Sequence, residues 1–119
     1  MASEVQETAG GLRITRSSRA GVTVLRLEGE LDLASAPELS SAVQQACTGA
    51  AQPVVLDMAA VGFFDSTGVR TLLEAQHLAG CDLVLMAPST AVTRVLDLTR
   101  LRGRFVEIDA DADLATLRR

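Results

Sequence analysis

The sequence lacks lysine, tryptophan and tyrosine, and it holds only three phenylalanines and one histidine among 119 residues. Fifteen acidic residues outnumber eleven basic ones, all of them Arg, and the formal net charge is -4. Proteins that bind nucleic acid usually carry a basic face, and those that bind single strands also stack aromatic side chains on bases. The composition therefore argues against direct contact with nucleic acid.

Long apolar runs are missing as well. No stretch approaches the roughly 18 apolar residues that a membrane-spanning helix needs. The first ten residues contain Glu4 and Glu7 and no apolar block, which is not the pattern of a secretory leader. These absences predict a cytoplasmic protein that does not contact a membrane.

The two cysteines, Cys47 and Cys81, form no Cys-x-x-Cys pair. In a reducing compartment such residues are usually free thiols, and we predict that both are free. They are expected near the end of a helix and at the start of a strand, at one end of a sheet, so a redox role stays open. Because His77 is the only histidine and no ligands cluster, we expect no structural zinc and no cofactor.

The residues that are present suffice for one core. Hydrophobic residues make up 48% of the chain, and the length fits a single domain. We expect residues 1–10 to form a flexible lead and residues 11–119 to form the domain.

Apolar periodicity predicts a hairpin followed by alternating helices and strands. Gly21 marks the hairpin turn, and Gly29 is expected to end the second strand. Ser35 and Glu38 form a candidate capping box for the first helix, which Gly49 would end. The predicted strands cover residues 12–15, 22–27, 54–58, 81–86 and 105–108, and the later helices cover residues 66–78, 90–99 and 111–117.

This order, ββαβαβαβα, predicts an α/β domain. It has a mixed, mostly parallel sheet of about five strands that starts with a hairpin, and about four helices packed against it. Functional groups of such sheets collect beyond the carboxyl ends of the strands. There the chain reads Phe64-Asp65-Ser66-Thr67-Gly68 and enters a helix, which places Ser66 at a helix N-terminus.

Two interpretations of this cluster are open. Asp65, Ser66 and Thr67 are all good N-capping residues, so the cluster can simply open a helix. Alternatively, the Ser66 hydroxyl is a phosphorylation site. A phosphate there would meet free N–H groups and the positive end of the helix dipole, and it would add about -1.5 to -2 charges.

Catalysis by Ser66 is not supported. A nucleophile elbow needs Gly two residues before the Ser, and Phe64 stands there. His77 would lie on the same helix roughly 16 Å away, too far to act as a base. No Gly-x-Gly-x-x-Gly motif or Walker lysine is present. We predict that the chain is not an enzyme.

Several segments taken in order carry a family resemblance. They are Gly29-Glu30-Leu31-Asp32, Ser35, Val55-Leu56-Asp57, Phe64-Asp65-Ser66-Thr67-Gly68-Val69, and Ala87-Pro88-Ser89 with Val92, Arg94 and Leu96. Together they resemble the STAS domain, and more narrowly the bacterial anti-sigma factor antagonists, from about Leu12 to Leu117. The most specific part is the Asp-Ser-Thr-Gly stretch after a buried strand, preceded by Gly-Glu-Leu-Asp.

The resemblance implies a protein that switches partners. The unphosphorylated antagonist binds an anti-sigma factor, and the sigma factor is released. The anti-sigma factor is also a serine kinase that uses ATP and Mg²⁺, and it phosphorylates the first hydroxyl residue after the Asp, which is Ser66 here. Thr67 is the less favoured acceptor. A metal-dependent serine phosphatase reverses the modification.

The resemblance also implies a partner surface; the oligomeric state stays open, with a monomer favoured. The surface comprises Asp32, Phe64, Asp65, Ser66, Thr67, Gly68, Val69 and Arg70. Asp32 has a second interpretation, as a cap for the helix near Ser35. One of Phe63 and Phe64 is expected to pack into the core and the other to lie nearer the surface.

Three positions depart from the family pattern. Arg70 stands where many relatives have Gly, Val69 replaces Leu, and Arg100 stands where Gly often precedes Leu. Arg70 could pair with a phosphate on Ser66 or change which partner is recognised. The alternative function is a structural STAS subunit of a membrane transport or signalling complex, which would use the same surface without phosphorylation.

Overall fold

A six-stranded mixed sheet organises the chain, which a computed structural model describes at residues 4–7, 11–48 and 53–117. The first two pairings in the sheet are antiparallel and the next three are parallel. The predicted α/β fold with a mixed, mostly parallel sheet is confirmed. In chain order, which is also the order in the sheet, the strands are β1 (Glu4–Glu7), β2 (Leu12–Arg19), β3 (Val22–Leu31), β4 (Val54–Phe64), β5 (Leu83–Met86) and β6 (Val106–Ile108).

The strand β1 falls within the segment expected to be a flexible lead. It pairs antiparallel with β2, from Glu4 opposite Arg16 to Glu7 opposite Arg13. This strand has four residues, of which only Val5 is apolar, and so short a segment has no hydrophobic periodicity of its own. It is recognised as a strand only by its pairing with β2. The other residues of the segment lie outside the described residues, and the boundary at residue 10 stays a prediction.

A two-residue turn joins β2 to β3. Arg19 pairs with Val22, and the residues between them, Ala20 and Gly21, have φ angles of 50° and 81°. Positive φ at both central positions is typical of a type I′ turn, whose twist matches that of the flanking strands. The predicted turn is confirmed, and both strands extend further than predicted.

Three α-helices follow the hairpin, each between two parallel strands. They are α1 (Ala36–Cys47), α2 (Ser66–Ala79) and α3 (Thr90–Leu98), and the 3₁₀ helices Arg102–Arg104 and Asp111–Leu117 complete the chain. We call the end of the sheet where β3 to β6 terminate the carboxyl edge, and the opposite end the amino edge. Since each α-helix carries the chain back between parallel strands, it begins at the carboxyl edge and ends at the amino edge.

The two faces of the sheet are covered differently. On β4, Leu56 and Met58 belong to the larger core, which the three α-helices cover, whereas Val55 faces the other side. There the C-terminal 3₁₀ helix covers a smaller cluster with Leu114. Truncating a fully buried residue such as Leu56 to Ala costs about 2–5 kcal/mol.

Gly29 does not end its strand as predicted. It lies inside β3 with a φ of 112°, beside a register shift against β4. A Cβ at this position would overlap the carbonyl oxygen of Gly11. Gly is therefore required here by a close approach of two backbone segments and by a left-handed φ, rather than by a strand end.

The prediction of two free thiols is wrong. Cys47 and Cys81 are joined by a disulfide, and their Cα atoms lie 5.7 Å apart. Cys47 ends α1 and Cys81 lies just before β5, so both reach the amino edge of the sheet. The prediction rested on the redox state of a compartment, which contains no information about this proximity.

Candidate functional site

Ser66 is the first residue of α2, at the carboxyl edge, and it is exposed. The capping residue is Asp65, whose Oδ1 accepts a hydrogen bond from the Gly68 N–H at 3.1 Å. Asp65 has an extended backbone, which an N-cap requires. Because Asp65 caps the helix, the Ser66 hydroxyl is not needed for that purpose.

Asp32 lies beside this helix start. The parallel register pairs Leu31 of β3 with Phe64 of β4, so Asp32 and Asp65 follow the ends of two adjacent strands, whose backbones are spaced about 5 Å apart within the sheet. Asp32 Oδ1 accepts hydrogen bonds from the N–H groups of Ala34 at 3.1 Å and Ser35 at 3.2 Å. Asp32 thus orders the turn before α1, as its interpretation as a cap implies, and it also places a second carboxylate at the carboxyl edge.

Ser35 does not form the predicted capping box. It occupies the N-cap position of α1 with a helical backbone and no side-chain capping bond. Its buried hydroxyl points back toward β3, donating to the Glu30 carbonyl at 3.0 Å and accepting from the Asp32 N–H at 3.1 Å. The helical φ and ψ of Ser35 differ from the extended conformation that an N-capping side chain needs, and the hydroxyl bonds to the strand end instead.

The two phenylalanines before Ser66 have opposite environments. Phe63 is 46% exposed, whereas Phe64 is only 5% exposed and lies in the core. A Cβ on Gly68 would lie 2.7 Å from the Phe64 ring, so Gly68 lets the start of α2 pack onto that ring. Val69 is buried too. The partner contact at Phe64 and Val69 stays a prediction, and the burial of both side chains limits such a contact to their small exposed fractions.

The remaining predicted residues lie on the outside of α2. Arg70 is exposed one turn after Ser66, on the same helix face, and no ion pair joins it to another described side chain. Thr67 is half-buried, and its carbonyl accepts a hydrogen bond from the Thr71 hydroxyl at 2.8 Å. The structure therefore brings an exposed hydroxyl, two carboxylates and one guanidinium to the start of α2.

Leu33 is a feature of this edge that sequence reasoning missed. It follows Asp32 in the turn before α1, and 78% of its side chain is exposed. Contiguous apolar patches rimmed by polar groups mark contact surfaces, whereas single exposed side chains are common, so Leu33 is a candidate contact only together with the exposed Phe63 at the same edge. The sequence does contain an indication of it, since Leu33 is an isolated apolar residue between a predicted strand and a predicted helix and fits the hydrophobic periodicity of neither. We call Asp32, Leu33, Phe63, Asp65 and Ser66 the Ser66 surface.

Ser89 supports the strand that delivers Ser66. The pairing of β4 with β5 ends at Asp57, and β4 continues beyond its neighbour to Phe64. The Ser89 hydroxyl donates to the Val61 carbonyl at 2.6 Å, and its N–H donates to the Met58 carbonyl at 3.2 Å. These bonds hold the projecting end of β4, which explains why the Ala-Pro-Ser segment belongs with the motif around Ser66.

The geometry offers no base for Ser66 from His77. That residue is exposed in the last turn of α2, about 16 Å along the helix from Ser66. Within the described residues, no three His, Cys, Asp or Glu side chains come together as a metal site would require. None of the helices in the described ranges has the length and apolar character to cross a membrane.

Comparisons with known proteins agree with the fold. The family model of the STAS domain matches residues 13–115. An anti-sigma factor antagonist from Mycobacterium paratuberculosis is 25% identical, with a TM-score of 0.80 over 96% of this chain and 100% of that chain. An anti-sigma-factor antagonist (STAS) domain protein from Planctomyces limnophilus is 18% identical, with a TM-score of 0.71 over 87% and 95%. The anti-sigma factor antagonist SpoIIAA, in its unphosphorylated form, is 22% identical, with a TM-score of 0.62 over 97% and 93%.

Proposed function

The chain belongs to the STAS domain family, and from that premise we propose that it is an anti-sigma factor antagonist that works by partner switching. Its unphosphorylated form binds an anti-sigma factor that is also a serine kinase, and the sigma factor is thereby freed. Phosphorylation of Ser66 blocks this binding, and a metal-dependent serine phosphatase restores it. The chain is a cytoplasmic monomer without enzymatic activity of its own, and ATP and Mg²⁺ belong to the kinase.

One observation carries the proposal: the exposed Ser66 hydroxyl stands at the first position of α2 while Asp65 performs the capping. A kinase needs a hydroxyl that it can reach and that no internal hydrogen bond requires. Ser66 is more exposed than the half-buried Thr67, which favours Ser66 as the acceptor.

Phosphorylation acts through charge at the Ser66 surface. The phosphate adds about -1.5 to -2 charges next to the carboxylates of Asp32 and Asp65. A partner that covers this surface would bury the dianion without a counter-charge, which is strongly unfavourable. A penalty of about 3 kcal/mol already weakens binding roughly 100-fold. No rearrangement of the fold is needed.

The free protein tolerates the same phosphate. By helix geometry, the N–H groups of Ser66 and Thr67 have no acceptor within α2, and they lie at the positive end of its dipole. Arg70 lies one turn further along the same face. The phosphorylated chain therefore stays folded, and the modification changes binding rather than stability.

Apolar side chains supply the attraction. Leu33 and Phe63 are the exposed large hydrophobic residues of the Ser66 surface. Burial of apolar area favours association, and a few buried side chains usually supply most of the binding free energy. The partner surface is expected to place apolar residues opposite Leu33 and Phe63.

The test is a map of phosphorylated residues by mass spectrometry, on the protein isolated from its own cells during growth and under stress. We expect phosphate on Ser66, with an occupancy that differs between the two conditions. Phosphate on Thr67 instead of Ser66 would support the same mechanism with Thr67 as the phosphorylated residue. No phosphate under either condition, together with partner binding that is indifferent to Ser66→Asp, would overturn the proposal in favour of a structural STAS subunit.

A further inference from the structure

We propose that the disulfide between Cys47 and Cys81 is a reversible redox site, which a low-molecular-weight thiol bearing carboxylates attacks at Cys81 through a cavity at the amino edge. The inference concerns the end of the sheet opposite Ser66 and does not depend on the proposed function.

The two cysteines are well placed to bond and differ in access. Their Cα atoms are 5.7 Å apart, within the range of about 4.4–6.8 Å in which disulfides form. Cys47 is the last residue of α1 and is 6% exposed, whereas Cys81 is half-buried between the end of α2 and β5. An attacking thiolate therefore reaches the sulfur of Cys81 more readily than that of Cys47.

A cavity of about 520 Å³ opens beside Cys81. Cys81 is part of its wall and Cys47 is not. Its volume lies in the range of about 300–1,000 Å³ in which proteins bind small molecules. The other residues of its wall are Pro53, Gln76, Asp82, Leu83, Val84, Arg104, Val106, Thr116 and Leu117.

Arg104 and Asp82 are the charged residues of this wall, and Arg104 is the one that can bind an anionic thiol. Its carbonyl accepts a hydrogen bond from Gln76 Nε2 at 3.3 Å, which ties this part of the wall to α2. Guanidinium groups bind carboxylates with charge-assisted hydrogen bonds. A peptide-sized thiol with free carboxylates can thus be held at Arg104 while its sulfur approaches Cys81.

The chemistry is thiol–disulfide exchange. The thiolate of the small molecule attacks Sγ of Cys81, and a mixed disulfide forms as the bond between the two cysteines breaks. Cys47 leaves as a thiolate and takes up a proton. A second molecule of thiol then attacks the sulfur of the first, which releases the oxidised dimer and leaves Cys81 as a thiol. Two thiols are oxidised and one protein disulfide is reduced, and the reverse sequence restores the bond.

The bond links the end of α1 to the start of β5, and these lie at the edge remote from Ser66. Cross-links that close loops of this size stabilise a fold chiefly by restricting the unfolded chain. Reduction is therefore expected to lower the melting temperature by roughly 10 °C while binding at the Ser66 surface stays unchanged at room temperature.

The test incubates the purified chain with reduced glutathione under native conditions and maps mixed disulfides by mass spectrometry. We expect glutathione on Cys81, two titratable thiols after an excess of reagent, and the lower melting temperature. Cys47→Ser removes the leaving group and leaves Cys81 as a free thiol, which should form a mixed disulfide with glutathione disulfide and release one glutathione. A disulfide that reacts only after thermal unfolding, or glutathione attached to Cys47, would refute the proposal.

Arg104→Ala tests the cavity separately from the bond. We expect the native reaction with glutathione to slow roughly threefold, as the loss of one exposed ion pair implies, and the reaction with 2-mercaptoethanol, which has no carboxylate, to keep its rate. Arg94→Ala is the matched control, because Arg94 is exposed on α3 and outside the cavity wall. Equal slowing with both thiols, or no slowing with glutathione, would contradict the role of Arg104.

Discussion

The two edges of the parallel sheet are built in different ways. At the carboxyl edge, the hydroxyls of Ser35 and Ser89 and the carboxylate of Asp65 hold three chain corners through hydrogen bonds to the backbone, while Leu33 and Ser66 remain exposed. At the amino edge, a disulfide joins the ends of two elements. One edge therefore leaves apolar and polar side chains exposed around hydrogen-bonded corners, whereas the other is closed by a covalent bond.

Ion pairs reinforce the amino edge. Arg102 lies between Glu107 and Asp97, with Nε 2.7 Å from a Glu107 oxygen and a terminal nitrogen 3.2 Å from an Asp97 oxygen. The hydrogen bond and charge of Glu107 raise the pKa of Arg102 well above its ordinary value, and Asp97 adds to the effect. Because these groups are solvent-accessible, the cluster fixes the chain between α3 and β6 more than it adds to the free energy of unfolding.

The largest effect is expected from Ser66→Asp, which introduces charge at the carboxyl edge. Affinity for the anti-sigma factor should fall roughly 100-fold, or about 3 kcal/mol, because the carboxylate is buried beside Asp32 and Asp65. The melting temperature should stay within about 2 °C, because the helix N-terminus accepts negative charge. Calorimetric titration measures the first and thermal unfolding the second. Ser41→Asp on exposed α1 is the control, and equal losses from both variants would refute the assignment.

Gly68→Ala should instead reduce stability from within the carboxyl edge. Its Cβ would lie 2.7 Å from the buried Phe64 ring, and overpacking of this kind costs about 1–3 kcal/mol. Denaturant unfolding measures the loss. Gly103→Ala is the control, because a Cβ there would meet nothing within 4 Å. Adding Phe64→Leu, whose smaller side chain makes room, should recover part of the loss, and no recovery would show that the ring is not the cause.

Leu33→Ala tests whether Leu33 contributes to partner affinity without contributing to the free energy of unfolding. We expect about a tenfold loss of partner affinity, as for a side chain buried at the centre of an interface, and a change in unfolding free energy below about 0.5 kcal/mol. Leu98→Ala is a matched control, because Leu98 is also 78% exposed but lies at the end of α3. Equal affinities for the two variants would remove Leu33 from the contact surface.

Arg100→Gly should give the smallest effect of the four substitutions, and it should raise the free energy of unfolding. Arg100 has a φ of 59°, a left-handed conformation that costs an ordinary residue about 1–2 kcal/mol. Gly removes this cost, but the unfolded chain with Gly has more conformational entropy, which offsets part of the gain. We expect a net gain of about 0.5–1 kcal/mol in denaturant unfolding. Arg94→Gly, within α3, should destabilise by about 1 kcal/mol. A loss at both positions would mean that the side chain of Arg100 makes a compensating contact.

Local rules predicted the parts of the molecule that local interactions determine. The start of α2 at Ser66 and the turn at Gly21 were found because capping residues and turn glycines act within a few positions of themselves. Arg100 was noticed as a departure from the family's glycine, and its left-handed φ supplies the physical reason for that glycine. The disulfide was missed because it joins residues 34 positions apart, and β1 was missed because its four residues carry no periodic signal of their own.

Ser35 shows how a long-range contact overrides a local rule. The spacing of Ser35 and Glu38 fits a capping box, yet the hydroxyl bonds to the end of β3, which sequence spacing does not reveal. The burial of Phe64 beside the exposed Phe63 follows from strand alternation, but which of the two faces inward depends on the register of β4. The site was therefore predictable in position and less so in the orientation of its side chains.

The hydrogen bonds of Ser35 have a kinetic consequence. They fix the turn that carries Asp32 and Leu33 in the isolated chain, so an arriving partner does not have to order it. A preorganised surface loses little conformational entropy on association, and its association rate is limited by diffusion and orientation rather than by folding of a loop. In the proposed switch, a phosphate on Ser66 would therefore act on a surface that is already ordered, and it would change the contacts of the complex rather than the folding of the turn.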